Sequence, residues 1–323
     1  MIIDFNKQKN SLYLIFFYII VIIFAVSNLY DYSIHIEEKF HRLNGLFWLN
    51  YIADVLNLSK LQEITKIKID KIYDYTLSPV TTYNKYGIIL DLPAAIIEIL
   101  FKIEDVKNIY YLKHFLSFFI FLISSLFFFK ILNKRYQNFH LSFVGVVLYV
   151  TTPRIFGDSF LYKDVLFLSL FMITLYYFLK SIEKINYKNL FYFSLFSALS
   201  INLRIFAIVI PFLFLFVLCL RNFHKSSIKK NLKKISYYFF LLIFFTYALW
   251  PYLWESPFTN FLDLFKSLEK DLIQVKVFYN NSYISNKFLP DAYIFNWVFI
   301  TSPLLYSILF SLGYFFCFKR LIR

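Results

Sequence analysis

Charged residues are scarce in this sequence: Asp, Glu, Lys and Arg make up 17% of its 323 residues, whereas 59% are hydrophobic. The mean hydropathy of +0.60 is far above that of an ordinary soluble domain. The formal net charge is +14, but the basic residues form short clusters between apolar runs, as in the cytoplasmic loops of membrane proteins. This pattern excludes a soluble enzyme and a nucleic-acid-binding protein, and it predicts an all-α polytopic membrane protein.

Cysteine and glycine are also rare, with two and five residues respectively. Two cysteines do not make a disulfide framework. The chain has no phosphate-binding glycine loop, no Cys/His pair at metal-ligand spacing and no Gly-x-Ser-x-Gly nucleophile elbow. His114, His140 and His224 are interpreted as interface or loop residues rather than ligands. No metal site is predicted, and the cofactor requirement stays undetermined.

Long apolar runs are abundant, and they predict about eight transmembrane helices in a single domain, residues 1–323. The predicted spans are Ser11–Leu29, Ile109–Leu132, Phe139–Thr152, Val165–Leu179, Asn189–Leu203, Ile205–Leu220, Ile235–Leu249 and Tyr293–Phe318. Residues 189–221 could instead form one long helix, but basic clusters on both flanks favour a hairpin that crosses twice. Half of the 34 Lys and Arg then lie in inner segments with only two acids, Asp4 and Glu183. Both termini are therefore predicted to be cytoplasmic.

Three of these spans, beginning at Phe139, Asn189 and Ile235, are shorter than the roughly 20 residues that cross a bilayer. Their outer ends carry polar residues, including Arg154, Arg204 and Glu255. We therefore expect an outward-facing recess at membrane depth, because charge is tolerated there only beside a protein-enclosed or water-filled cavity. The alternative is that the boundaries are a few residues wrong and the helices have ordinary lengths.

The first outer loop, residues 30–108, is too long for a linker and is predicted to contain two interfacial helices. The first includes residues 36–52, IEEKFHRLNGLFWLNYI, in which Glu37, His41, Asn44 and Trp48 form one helical stripe. We expect that stripe to face an aqueous or headgroup space and cover the recess. The alternative is an amphipathic connector whose charges are merely solvated.

Other outer segments supply the remaining candidate residues. A second amphipathic helix is predicted at Tyr86–Phe101, with Asp91 near its start, and Lys60–Lys85 is interpreted as a mixed-charge loop. A further helix is predicted at Ser256–Val277 and a loop at Asn280–Tyr293. The loop Pro153–Asp164 contains Arg154, Asp158, Lys163 and Asp164, which could bind a substrate or simply pair with one another.

The order of these features resembles the integral-membrane glycosyltransferases of the C fold, in particular bacterial members related to protein O-mannosyltransferases and aminoarabinose transferases. Those enzymes carry an Asp-Glu pair on an amphipathic helix after the first span. Glu37-Glu38 matches this pair, with Glu instead of Asp at its first position. Five further stretches resemble the family in the same order. They are YGIILDLPAAIIE (86–98), TPRIFGDSFLYKD (152–164), INLRIFAI (201–208), LWPYLWESP (249–257) and LPDAYIFNWVFITSP (289–303).

The resemblance implies inverting transfer of a sugar from a polyprenyl-phosphate donor to a glycan, lipid or protein acceptor on the outer face of a bacterial inner membrane. It implies that Glu37 or Glu38 is the general base, and which of the two remains open. The substrate-binding residues implied with them are His41, Arg42, Asp91, Arg154, Lys163, Asp164 and Arg204. Arg154, Lys163 and Arg204 would contact the phosphate. The competing hypothesis is a flippase or transporter of lipid-linked sugars, which would need the recess and the cations but no base.

Overall fold

The computed structural model describes residues 2–35, 37–72, 87–161, 164–221, 226–270 and 276–322. The chain divides into two compact units, residues 1–261 and 262–323. That both units act as one glycosyltransferase-like domain stays a prediction. The helices that begin in the first unit are α1 (Ile2–Asn28), α2 (Glu38–Val55), α3 (Ser59–Ile72), α4 (Asp91–Leu100), α5 (Val106–Tyr136), α6 (Phe139–Thr151), α7 (Pro153–Asp158), α8 (Asp164–Glu183), α9 (Tyr187–Leu203), α10 (Val209–Arg221), α11 (Ser226–Ala248) and α12 (Pro257–Lys270).

The apolar runs of the first unit fold into helices as predicted. Polar residues set where several of them begin: the side chains of Asp105, Asn138 and Asn186 accept hydrogen bonds from the first backbone N–H groups of α5, α6 and α9. Residues 189–221 form two helices and not one, because α9 ends at Leu203 and Arg204 is extended, at φ −142° and ψ 111°. A short 3₁₀ turn, Ile205–Ile208, then leads into α10.

The second unit contains a hairpin and a bent helix pair. Strands β1 (Lys276–Tyr279) and β2 (Ser282–Ser285) pair antiparallel around Asn280 and Asn281, whose φ angles are 48° and 59°. Asparagine tolerates this left-handed conformation in tight hairpin turns. The predicted helix through Val277 and the predicted loop from Asn280 are therefore wrong in this stretch, because the β-branched and aromatic residues on both sides of the turn, Val, Phe and Tyr before it and Tyr and Ile after it, favour strands.

The predicted span Tyr293–Phe318 is not one helix. Helix α13 (Tyr293–Thr301) and helix α14 (Leu304–Ile322) meet at an angle of 114°. Pro303 explains the break, because proline lacks a backbone N–H and disfavours helical conformation in the preceding residue, Ser302.

The protein is an all-α polytopic membrane protein apart from that hairpin. Among the described residues, three helices are long and apolar enough to cross a bilayer, at Leu12–Asp31, Val106–Tyr136 and Asp164–Glu183. The bent pair α13–α14 is a fourth candidate, and Phe139–Thr151 and Ile205–Leu220 are shorter apolar helices. The count of eight crossings stays a prediction.

Contacts between helices of the first unit show which helix ends lie together. At one end, Lys134 of α5 pairs with Glu183 of α8, and Nζ of Lys234 donates to the carbonyl of Ile185. At the opposite end lie the start of α5, the start of α8, and the ends of α6, α9 and α11. The positions that the sequence predicted on the outer side, among them Arg154 and Arg204, thus share one end of the helix bundle.

Helices α2, α3 and α4 cover that end. The described part of the first outer loop thus holds three α-helices, and the prediction of two is wrong because Ser59–Ile72 is helical. Leu46 and Leu49 of α2 pack with Ala95 of α4 and with Leu61 and Ile69 of α3, so α3 completes a small apolar core that two helices would leave open. Residues 73–86, the rest of the predicted loop and the start of the predicted second helix, lie outside the described residues.

Candidate active site

Asp91, the first residue of α4, is the centre of a buried polar cluster that joins α2, α4 and α5. Its Oδ1 accepts a hydrogen bond from Nζ of Lys113 at 3.1 Å. Its Oδ2 lies 3.1 Å from Nδ1 of His41 and accepts from Nδ2 of Asn44 at 3.0 Å. Asp91 is 1% exposed, and its partners are buried as well. The cluster therefore fixes α2 and α4 against the start of α5.

The ionisation of Asp91 follows from these neighbours. Burial raises the pKa of the carboxyl, but the charges of Lys113 and His41 and the hydrogen bonds from His41 and Asn44 outweigh it and hold the pKa below the usual 3.8. Asp91 is thus a carboxylate at neutral pH, and Nδ1 of His41 donates to it.

Glu98 forms a second buried pair two turns along α4. The guanidinium of Arg42 binds it through two hydrogen bonds, from Nε at 3.1 Å and from NH2 at 2.8 Å, and Nζ of Lys68 donates at 2.8 Å. This two-pronged geometry fixes orientation as well as distance. These hydrogen bonds connect α2 and α3 to the side of α4 that also carries Asp91.

The two candidate bases differ in their surroundings. Glu38 is 1% exposed: its Oε1 lies 2.6 Å from Nε2 of His114 on α5, and its Oε2 accepts from the backbone N–H of His35 at 3.1 Å. Glu37 precedes α2 as its N-cap, and its side chain is only partly buried. The carboxylate of Glu38 therefore lies inside the junction between α2 and α5. The carboxylate of Glu37 lies at the rim, the partly exposed edge of that junction.

Two of the predicted phosphate-binding cations, Arg154 and Arg204, lie outside this junction. Arg154 of α7, 68% exposed, pairs with Asp158 at 3.7 Å. Arg204, 38% exposed, pairs with the more exposed Asp164 at the start of α8. The expectation that the charges of the loop Pro153–Asp164 could pair with one another thus holds for Arg154 and Asp158, whereas Asp164 pairs with Arg204 outside that loop. Lys163 lies outside the described residues.

Three of the four residues in the stripe expected to face water do not do so, and only Glu37 stays partly exposed. His41, Asn44 and Trp48 are buried against the rest of the protein, so the aqueous orientation predicted for them is wrong. The alternative of a connector with solvated charges is also wrong, because Asp91 and Glu98 receive the polar side chains of α2 in the interior. Binding of substrate by His41, Arg42 or Asp91 stays a prediction that their burial does not favour.

Sequence reasoning missed three residues of these buried polar groups, Lys68, Glu98 and Lys113, and it interpreted His114 as an interface or loop residue without identifying its contact with Glu38. The pair Lys113-His114 carried a usable signal, because it places two adjacent ionisable residues near the start of the apolar run Ile109–Leu132. Ionisable residues inside such runs generally face partners in the protein interior. Among the described residues, no group of three or more His, Cys, Asp and Glu side chains is arranged to hold a metal ion.

Comparison with protein families matches residues 85–250, slightly more than half of the chain. The match runs from just before α4 to the end of α11 and includes Asp91, His114, Arg154 and Arg204, whereas α2 with Glu37 and Glu38 precedes it. Neither the curated proteins nor the solved structures yield a match. The matched length shows that this chain belongs to the dolichyl-phosphate-mannose-protein mannosyltransferase family, and it is a membrane glycosyltransferase.

Proposed function

We propose that this protein transfers a sugar from a polyprenyl-phosphate donor to an acceptor hydroxyl on the outer face of the membrane, with inversion at the anomeric carbon. Family membership supports a lipid-linked sugar donor. The single observation that carries the mechanism is the contrast between Glu38, which is buried and hydrogen-bonded, and Glu37, which remains partly exposed at the edge of the same fixed helix.

Glu37 is the general base in this proposal. A base must come within hydrogen-bond reach of the acceptor hydroxyl. A carboxylate at the rim can contact an incoming acceptor without a rearrangement of the buried side chains, whereas a buried carboxylate cannot. Glu38, held by His114 and the backbone of His35, fixes the start of α2 and thereby positions Glu37. His41, Arg42 and Asp91 contribute in the same way, because they tie α2 to α4 and α5.

The reaction is a single displacement. The acceptor oxygen attacks the anomeric carbon from the face opposite the phosphate while Glu37 takes its proton. The bond between that carbon and the phosphate oxygen breaks, and its electron pair stays on the phosphate oxygen, so polyprenyl phosphate leaves. One displacement inverts the configuration.

Arg154 and Arg204, together with Lys163, are the proposed phosphate contacts. The positive charges would stabilise the negative charge that grows on the leaving phosphate. Their present partners, Asp158 and Asp164, do not prevent this role, because exposed ion pairs contribute only about 0–1 kcal/mol and exchange partners easily.

An apolar cavity beside Arg154 suits the lipid part of the donor. It has a volume of about 430 Å³ between α1 and the α6–α7 junction, and its walls include Phe17, Phe24, Pro153 and Phe156. Arg154 directly follows Pro153, so an isoprenoid chain lying there would bring its phosphate towards that arginine.

Deletion of the gene followed by mass spectrometry of surface glycans tests the proposal. We expect the loss of one sugar from one glycan class, restored by the wild-type gene and not by a Glu37→Gln variant that accumulates normally in the membrane. An unchanged glycan profile, or full restoration by Glu37→Gln, would contradict it. Restoration by Glu37→Gln would favour a flippase or transporter, which needs no base.

A further inference from the structure

Two lysines share one aromatic ring where the ends of α5 and α8 lie side by side. Nζ of Lys130 on α5 lies 5.9 Å from the ring centroid of Tyr176 on α8, and Nζ of Lys180 lies 4.8 Å from the same centroid. Nζ of Lys130 also lies 4.6 Å from the ring centroid of Phe127, a ring that contacts Tyr176 at 5.1 Å. Two ammonium groups are thus held around a small aromatic surface.

This end of the helix bundle is strongly basic. The segments that form it, residues 126–145, 175–200 and 226–245, contain ten Lys and Arg residues and one acid, Glu183. The carboxylate of Glu183 pairs with Lys134. The two ammonium groups at the Tyr176 ring therefore lie in a region of excess positive charge, which favours an anion from outside the protein.

Lys130 lies near the depth at which the headgroups of a bilayer begin. His114 and Lys130 are 16 positions apart on α5 with no charged residue between them, which corresponds to about 24 Å along the helix axis. That length covers most of the roughly 30 Å hydrocarbon core of a bilayer. Phe119 and Leu126, 51% and 40% exposed, lie on the same face of α5 as Lys130. An acyl chain that packs on this apolar stripe has its headgroup beside Lys130.

We propose that Lys130, Tyr176 and Lys180 bind the headgroup of an acidic phospholipid from the surrounding bilayer. The lipid phosphate lies between the two ammonium groups, and an acyl chain follows the exposed stripe of α5. The lipid is acidic because a zwitterionic headgroup does not neutralise the excess positive charge of this end. The site is distinct from that proposed for the polyprenyl-phosphate donor, which lies at the opposite end of the bundle beside Arg154.

Lipid binding to the purified full-length protein in detergent, measured by native mass spectrometry, tests the inference. The probes are phosphatidylglycerol, phosphatidylcholine, which has the same phosphate but no net charge, and polyprenyl phosphate. We expect the wild type to bind phosphatidylglycerol at least fivefold more tightly than phosphatidylcholine. Lys130→Gln/Lys180→Gln should reduce that preference to less than twofold, whereas Lys130→Arg/Lys180→Arg, which keeps both charges, should retain it.

Lys188→Gln/Lys233→Gln is the matched control, because it removes two exposed lysines from the same end and leaves the surroundings of Tyr176 unchanged. It should keep the wild-type preference, and the melting temperature of each variant shows that it is folded. Equal wild-type affinity for the two phospholipids, a retained preference in Lys130→Gln/Lys180→Gln, or an equal loss in the control overturns the inference. A parallel loss of polyprenyl phosphate binding by the folded glutamine variant also overturns it, because the two lysines would then belong to the donor site.

Discussion

The backbone of Gly45 on α2 lies so close to Asp91 on α4 that a Cβ at position 45 would come within 3.0 Å of the carbonyl oxygen of Asp91. Backbone atoms cannot move aside as a flexible side chain can. Gly45→Ala should therefore separate α2 from α4, weaken the hydrogen bonds from His41 and Asn44 to Asp91, and lower the melting temperature in detergent by several degrees.

Gly157→Ala is the control for that substitution. Gly157 lies in α7, and a Cβ there would meet nothing within 4 Å. Alanine favours helix over glycine by up to about 1 kcal/mol, so this variant should melt at or slightly above the wild-type temperature. Equal melting temperatures for Gly45→Ala and wild type would contradict the close packing of the two helices.

The position of Gly45 shows what the sequence could and could not predict. Helical periodicity identified α2 and the stripe of polar side chains on it. Periodicity separates two faces of a helix but does not say which face is buried, and that depends on partners such as Lys113, which lies 69 residues from Asn44 along the chain. The stripe was therefore assigned to water, whereas His41, Asn44 and Trp48 lie in the interior.

Asp91→Asn should destabilise the protein strongly, because it removes the buried carboxylate that pairs with Lys113. Breaking a buried ion pair in this way typically costs about 3–5 kcal/mol. Asp158→Asn, which removes the partner of the exposed Arg154, should change stability by less than about 1 kcal/mol. Thermal unfolding in detergent compares the two, and equal effects would show that the buried cluster does not stabilise the fold.

The same cluster predicts a dependence on pH. The pKa of Asp91 is lower in the folded protein than the usual 3.8, so its ionised form stabilises the fold. That contribution is complete above about 3.8 and is lost as the pH falls through the lower folded-state pKa. Melting temperatures of wild type and Asp91→Asn should therefore converge below pH 3.8, and a constant difference down to pH 2.5 would contradict this account.

Substitution of the arginines proposed to contact phosphate should weaken donor binding more than it lowers the stability of the fold. Arg154→Gln and Arg204→Gln, like Lys163→Gln, should raise the KM for a polyprenyl-phosphate sugar, because the phosphate is already charged in the ground state. They should lower kcat as well, because the leaving group gains charge in the transition state. Arg320→Gln, in the last turn of α14, controls for loss of positive charge. An unchanged KM in all three variants would remove these residues from the phosphate site.

Accessibility to an impermeant thiol reagent tests the predicted orientation in intact cells. Single cysteines at Lys60, Asp158 and Lys270 should react from outside, whereas those at Lys134, Lys184 and Lys230 should not. The ion pair between Lys134 and Glu183 places Lys134 and Lys184, the residue after Glu183, at one end of the bundle, so cysteines at Lys134 and Lys184 should give the same result. Outside labelling of Lys230→Cys would contradict the eight-span arrangement.

Local sequence patterns predicted some elements of the fold and missed others. Hydropathy located the long apolar helices of the first unit, whereas it missed α3 and α7, which lie in segments interpreted as loops. Pro303 was overlooked within an apolar run that looks continuous by composition. Helix α3 was interpreted as loop because its residues are mostly polar, and its apolar positions become meaningful only once α2 and α4 supply a surface. The contact between Glu38 and His114 joins residues 76 positions apart, which no local pattern reveals.

Turnover of a labelled polyprenyl-phosphate sugar by purified protein in liposomes tests the central claim most directly, with wild type compared with Glu37→Gln and Glu38→Gln. We predict that Glu37→Gln lowers kcat by about 10²–10⁴ with little change in donor KM or melting temperature, because glutamine keeps the size but cannot accept the proton. Glu38→Gln should mainly lower the melting temperature, through its weakened contact with His114. A Glu37→Gln variant that turns over at the wild-type rate while remaining folded would contradict the assignment of the base to Glu37.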